Sequence, residues 1–431
     1  VSITECRNFK GDRPCQYGCT QRCHFESPSP SSSPTKRGPN ILLVHLGALG
    51  AVVRSTSLLE PIAKKHPGCQ IFWVTERPEI LGDHPGIYQK LNLSFESLMQ
   101  LTPIQFEAAY IVDKDIRAAG FVDNLSVKKT FGFVSDQNGV VVPATKAADR
   151  LWQLGIDNNE KFFVNKKSEA QLLCESLELE YWRSQYSLPL SETEKALSSR
   201  RRLEWLSKNN DFKCKITKNE IPWATKRGSL SHYNSRNEAQ LPVRLLLGFN
   251  TGCSNVIPYK KMTVEGSAQL INLIHQTFTG VRVVLLGGKE DLERNKQILD
   301  LSPGAIMSPH DLGLRDGLSS IAACDLVLSG DSLGMHFAIS QRKWTIAWFG
   351  PTCSHEIDLF DCGYKVIANV PCGPCWKRSC DRPVMCYDHV PEVEILKGIE
   401  KGLHYLEKQN FGHPNSLSRR STPVDSPIER S

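Results

Sequence analysis

Asp325-Leu326-Val327-Leu328-Ser329-Gly330-Asp331-Ser332-Leu333-Gly334-Met335-His336 is the stretch on which the fold turns. Its apolar run has strand length and the composition of a strand buried on both faces of a parallel sheet. The run stops at a Gly-Asp-Ser turn, where glycine lets the backbone approach a ligand and the next helix presents free N–H groups. A diphosphate suits such a turn. A second apolar run, Trp344-Thr345-Ile346-Ala347-Trp348-Phe349-Gly350, follows after sequence compatible with a helix. Strand, turn, helix and strand in that order predict a doubly wound α/β unit.

Upstream the same pattern recurs in Arg244-Leu245-Leu246-Leu247-Gly248-Phe249 and in Val281-Arg282-Val283-Val284-Leu285-Leu286-Gly287-Gly288. Asn250-Thr251-Gly252-Cys253-Ser254 lies at the end of the first of these, with Lys260 and Lys261 just beyond it as counter-charges for an anion. Near the other end of the chain Ile41-Leu42-Leu43-Val44 is followed by Gly47-Ala48-Leu49-Gly50, and then by Ser55-Thr56-Ser57, which are expected to cap a helix running to Lys65. Gln70–Thr75 and Ala108–Val112 read as further strands, the latter ending in Asp113-Lys114-Asp115. Two α/β units in succession form a cleft lined by residues beyond the carboxyl ends of their strands.

The boundaries that follow are 1–26 for a Cys-rich segment, 27–39 for a Pro/Ser linker, 40–240 for a first α/β domain, 241–408 for a second α/β domain that includes the four-Cys stretch 372–386, and 409–431 for a disordered tail. The 431 residues leave ample room for two domains, and no apolar run approaches the ~20 residues that span a bilayer. The net charge is +6, and residues 199–240 carry ten basic and four acidic side chains, a local excess that equals the whole. A solvated connection between domains explains that excess, so no nucleic-acid partner is expected.

Fifteen cysteines are many, and eight of them cluster. Cys372, Cys375, Cys380 and Cys386 form C-x2-C-x4-C-x5-C, whose Gly373-Pro374 bend suits a chelating knuckle for Zn or one Fe. Cys6, Cys15, Cys19 and Cys23 form a less familiar array, expected to hold a second metal or an iron–sulfur cluster. Clustered thiolates and a start without a secretory pattern lead to an expected cytoplasmic setting. Cys69, Cys174, Cys214, Cys253, Cys324, Cys353 and Cys362 show no spacing and read as inert thiols.

Gly330-Asp331-Ser332-Leu333-Gly334-Met335-His336, Phe349-Gly350-Pro351-Thr352 and the early Gly47-Ala48-Leu49-Gly50 turn resemble the ADP-heptose heptosyltransferases, glycosyltransferase family nine. The match runs over about 40–400, strongest at 325–352 and weak at 155–240. The Cys clusters are most similar to the autotransporter heptosyltransferase branch, which carries a cysteine-bound iron finger. The resemblance implies a GT-B fold of two Rossmann-like domains and inverting transfer of a heptose-like sugar from a nucleotide diphosphate, without a catalytic metal. The acceptor it implies is a hydroxyl on lipopolysaccharide core or protein, with membrane contact at most peripheral and a homo-oligomer compatible.

Position by position, Asp331, Ser332, Gly334 and His336 match the family's donor motif, with the glycine displaced by one residue. Lys260 matches the lysine that meets donor phosphate, Ser254 the hydroxyl before it, and Glu290 or Asp291 the acidic residue at the nucleoside. The family commonly has Gly-Asp after the first strand, its Asp acting as base, where this chain has Gly50-Ala51. Alanine takes no proton. Either Asp113 or Asp115 supplies the base, or the chain is a non-catalytic nucleotide-binding or metal/redox-regulatory derivative. His45 and Arg54 are secondary candidates for contact with the acceptor, or structural residues.

Overall fold

The computed structural model describes residues 38–208, 244–254, 256–383 and 385–411. The N-terminal group Cys6, Cys15, Cys19 and Cys23, most of the expected linker, most of the basic segment and the expected disordered tail lie outside the described residues.

Fourteen strands are described: β1 (Asn40–Val44), β2 (Gln70–Thr75), β3 (Gln89–Asn92), β4 (Gln105–Phe106), β5 (Ala108–Ile111), β6 (Ser126–Val127), β7 (Thr130–Ser135), β8 (Val141–Pro143), β9 (Leu245–Asn250), β10 (Val281–Leu286), β11 (Ile306–Met307), β12 (Leu326–Gly330), β13 (Trp344–Phe349) and β14 (Gly363–Ile367). They form two six-stranded sheets, ordered β3-β2-β1-β5-β7-β8 and β11-β10-β9-β12-β13-β14, with β4 and β6 paired apart. All pairs are parallel except β7 with β8.

Every expected strand is present, and the inner ones are fully buried because helices cover both faces. Ile41, Leu42, Leu43 and Val44 are 0% exposed, as are Leu326, Val327 and Leu328. The strands that sequence reading does not find are β3, β7, β8 and β11, besides the short β4–β6 pair. Three of them are edge strands, where one-sided burial permits polar residues such as Gln89 and Asn92. In β7, Gly132 has φ +90°, and a Cβ there would stand 2.0 Å from the Ile111 carbonyl oxygen of β5, so only glycine allows that pairing.

The helix after β1 starts earlier than expected, at Leu49, tightens to a 3-10 turn over Ser55–Leu58 and resumes through Leu59–Lys65. The three hydroxyls do not cap it. Thr56 donates back to the Val53 carbonyl at 2.7 Å and Ser57 to that of Arg54 at 2.8 Å, which satisfies buried hydroxyls inside the continuous run.

Helix Glu192–Ser207 opens with a capping box, Ser191 accepting from the Glu194 N–H while Glu194 accepts from that of Ser191. In sequence it falls within 40–240, yet its side chains bind the second half. Arg201, 6% exposed, donates to the Asp316 carboxylate at 2.8 Å and to Ser320 Oγ at 2.9 Å, and Arg202 reaches Asp325 at 2.8 Å. The reading of this basic stretch as a solvated connection therefore fails at Arg201 and Arg202. They are charge partners for acidic groups of the second half. Arg282, buried in β10, donates to the carbonyls of Trp205 and Lys208 that end the same helix. One apolar cluster runs from Ile41, Val53 and Tyr110 through Leu188 and Trp205 to Leu318, Met335 and Phe337, so the two halves share a core.

Candidate active site

In each sheet the strand order reverses beside the first strand of the unit, at β1/β5 and at β9/β12. Helices leave such a point in opposite directions and open a crevice beyond the carboxyl ends of the strands. The first crevice receives His45-Leu46-Gly47 from β1 and Asp113 from β5. The second receives Asn250–Ser254 from β9 and Gly330-Asp331-Ser332 from β12.

In the first crevice Asp113 accepts N–H bonds from Leu46 at 2.5 Å and Gly47 at 2.9 Å. Burial nonetheless pushes its carboxyl up to about 6; those two bonds oppose the shift, and the Asp115 charge adds to it. His45 stands 3.9 Å from Asp113 through Nε2 and 2.6 Å from Ser55 Oγ through Nδ1, and burial with Arg54 nearby lowers it to about 3, a neutral imidazole. Asp115 is differently placed. It caps helix Ile116–Asp123, accepting from the Arg117 N–H at 2.8 Å, and pairs with the Arg117 guanidinium at 2.7 Å, which lowers its pKa. Burial thus leaves Asp113 above its ordinary range and the Arg117 pairing leaves Asp115 below it.

In the second crevice Lys260 Nζ lies 3.8 Å from Asp331, and His336 Nε2 lies 4.0 Å from the same carboxylate. Burial, with Arg54 and Lys260 close by, holds His336 well below its ordinary range. Ser332 stands at the start of helix Leu333–Ser340 without bonding its N–H groups, since its Oγ accepts instead from Asn250 Nδ2 at 2.9 Å. Gly334 is needed against that asparagine, a Cβ there falling 2.5 Å from Asn250 Cγ. Asn250 also donates to the Gly252 carbonyl at 2.9 Å and so ties both strand-end loops together. Ser254 is exposed at the rim. Glu290 is exposed too, whereas Asp291 is buried, accepts from the Gly288 N–H at 3.0 Å and fills the space beside Gly252, so of that pair Glu290 is the one free to meet a ligand.

The crevices meet. A Cβ on Gly50 would stand 2.5 Å from His336 Cδ2, so the β1 turn of the first half rests on the donor-motif helix of the second. Arg54, buried, pairs with Glu169 at 2.7 Å, and Tyr186 lies 5.8 Å from His336 between ring centroids. Arg54 Nε, Tyr186 Oη, His336 Nδ1 and Thr352 Oγ1 are buried without a hydrogen-bond partner. Sequence reading does not find Glu169 and Tyr186, which are scattered along the chain and carry no spacing signal.

Cys372, Cys375, Cys380 and Cys386 line one cavity of about 100 Å³ with Tyr259, Gly350 and Pro351. Burial, and less strongly the other three sulfurs, push the Cys386 thiol up to about 11. Among the described residues no three of these sulfurs lie within 4.8 Å of one another, so the four share a cavity without a formed shell, although four thiolates as a donor set suit a soft or borderline metal. The segment docks on the second crevice: Cys375 and Trp376 N–H bond the Pro351 carbonyl at 3.0 and 2.9 Å, and the Cys380 N–H bonds Tyr259 Oη at 3.0 Å, next to Lys260.

The family model for glycosyltransferase family 9 (heptosyltransferase) matches residues 100–385. The chain belongs to that family. It is therefore a glycosyltransferase. Lipopolysaccharide heptosyltransferase 1 of Campylobacter coli is 24% identical over 388 residues, covering 84% of this chain and 98% of the relative. The fold is that of a family 9 glycosyl transferase from Veillonella parvula, with a TM-score of 0.61 at 16% identity over 85% of this chain and 98% of that one. The ADP-heptose lipopolysaccharide heptosyltransferase II of E. coli gives 0.56 at 16% identity over 85% and 99%. These likenesses carry the GT-B-like architecture of two parallel sheets. Among the described residues no helix is long and apolar enough to cross a membrane.

Proposed function

We propose that this family 9 glycosyltransferase moves a heptose-like sugar from ADP-heptose to an acceptor hydroxyl of lipopolysaccharide core, with inversion. The observation that carries this reading is the pairing of crevices, a raised carboxylate at one and a lysine, an acidic turn and an uncapped helix start at the other. Asp113 takes the proton as the acceptor oxygen forms its bond to the anomeric carbon. The bond from that carbon to the diphosphate oxygen breaks on the opposite face, and the electron pair leaves with ADP. Lys260 and the first N–H groups of helix Leu333–Ser340 stabilise the growing diphosphate charge. Asp331 orients Lys260, and Glu290 suits ribose hydroxyls. The unpartnered Arg54 Nε, Tyr186 Oη and His336 Nδ1 are suited to sugar and phosphate oxygens. Asp113 also answers the loss of the family's Asp at Ala51, since it binds the very turn, Leu46-Gly47, that leads to that position.

The four-Cys segment would hold Zn or Fe through Cys372, Cys375, Cys380 and Cys386, as in the iron-finger branch. Four thiolates leave no open position, so its part is structural. Incubation with ADP-heptose and a heptose-deficient lipopolysaccharide acceptor should release ADP and add one heptose of inverted anomeric configuration. Absence of ADP release with that acceptor, while ADP-heptose binds, would overturn the acceptor; absence of donor binding would overturn the whole reading.

A further inference from the structure

Beyond β13 the chain runs Gly350-Pro351-Thr352-Cys353-Ser354-His355-Glu356, with Ser354–Glu356 wound as a 3-10 turn that starts from Cys353. In such a turn side chains three apart eclipse, so Cys353 and Glu356 stand on one side. The ligand atoms of Cys353, His355 and Glu356 lie within 4.8 Å of one another, with Cys353 and Glu356 buried and His355 partly so. His355 Nε2 is buried and has no hydrogen-bond partner. Trp376 donates its indole N–H to Cys353 Sγ at 3.4 Å, the outer contact that orients a thiolate ligand. Lys161 Nζ sits 3.3 Å from Glu356, so a cation already occupies one side of the cluster.

We propose that Cys353, His355 and Glu356 form a binding site for a divalent transition metal of the zinc and ferrous class, separate from the four-Cys segment. One sulfur, one imidazole nitrogen and one carboxylate oxygen make a borderline donor set, which selects such ions over the oxygen-seeking Mg²⁺ and Ca²⁺. Bonds of about 2.0–2.3 Å place ligand atoms nearer together than 4.8 Å, so the side chains close inward as the ion enters. Three protein ligands leave a fourth position open. The thiol proton leaves on binding, and the ion takes the place of Lys161 beside Glu356. The Lys161 ammonium, which in this structure lies 4.6 Å over the Trp376 ring, gives up its ion pair with Glu356 as the metal enters. Metal binding thereby exchanges an ion pair between Lys161 of the first half and Glu356 of the second for a coordination bond within the second.

The test is titration of the full chain, stripped of metal under reducing conditions, with Co²⁺ as the spectroscopic probe. Wild type should bind one Co²⁺ per chain more than Cys353→Ser or His355→Gln, and the missing ion should account for part of the sulfur-to-cobalt charge-transfer absorption. The same difference should persist in a Cys375→Ser background, which impairs the four-Cys segment. Trp376→Phe should weaken this site by about tenfold, the low end of what removing an outer partner costs. Lys161→Gln, which removes the competing cation and leaves all three ligands in place, should tighten it severalfold. Equal Co²⁺ stoichiometry in wild type and both ligand variants would overturn the proposal. So would an unchanged affinity in Lys161→Gln, which keeps the test decisive if a ligand variant fails to fold.

Discussion

Asp113 is held by two opposed influences, burial that disfavours its charge and two backbone N–H groups that favour it, and burial wins by enough to place it at about 6. A base must be ionised, so kcat/KM should fall as pH drops through about 6 and level off above it. Asp113→Asn should reduce turnover by about 10²–10⁴-fold and remove that limb while donor affinity stays the same. A pH–rate profile for wild type that is flat from about pH 5 to 8 would refute the assignment. Linkage gives a second sign. Because its folded pKa lies above the unfolded value, Asp113 contributes stability below about pH 4 that is lost as pH rises through about 6. The ionised carboxylate therefore costs stability at neutral pH, a cost the neutral Asn avoids, and denaturant titrations of wild type and variant should differ more at pH 7 than below about pH 4.

At the scale of elements, helix Glu192–Ser207 ties the starts of β10 and β12 to the first half, and the four-Cys segment docks beside the second crevice. Arg201→Met leaves Asp316, whose side chain is 12% exposed, without its cation, and a broken buried pair costs about 3–5 kcal/mol. Chemical denaturation should show that loss, while kcat at a permissive temperature should change little because Arg201 lies in neither crevice. Cys375→Ser should lower both the metal content and the melting temperature, since a metal that closes the segment contributes its binding energy to folding. Tyr259 links the segment to Lys260, so donor affinity should fall as well, though less than stability does. A variant that keeps its metal and melts like wild type would remove the four-Cys shell.

For the whole molecule the decisive feature is the apolar cluster that runs without a break from the first sheet to the second. Separate domains normally meet through small, polar interfaces and move or melt independently. Here Leu188, Trp205, Leu318, Met335 and Phe337 fill the space between the halves. Calorimetry should give one transition, with calorimetric and van't Hoff enthalpies in agreement. Two resolved transitions would show that the halves fold on their own cores.

The sequence by itself determined the fold class and pointed to the strand ends as the place for a candidate site. Apolar runs such as Ile41–Val44 and Leu326–Leu328 are too short for helices and too continuous for exposed strands, and glycine turns mark where each run ends. The stretch from Asp331 to His336, proposed for the donor, was legible as a strand, turn and helix start because its parts are adjacent in the chain. Tertiary structure alone decided the rest. Strand order is a property of pairing between distant segments, and it made β1/β5 and β9/β12 the crevices. The difference between Asp113 and Asp115 came from burial, which raises the first against the pull of its Leu46 and Gly47 N–H bonds, and from the Arg117 that pairs with the second. Arg201 looked solvated because nothing local pairs with it; its partner, Asp316, is 115 residues distant. Local pattern records what a residue's neighbours in the chain require, whereas burial and charge depend on neighbours that only folding supplies.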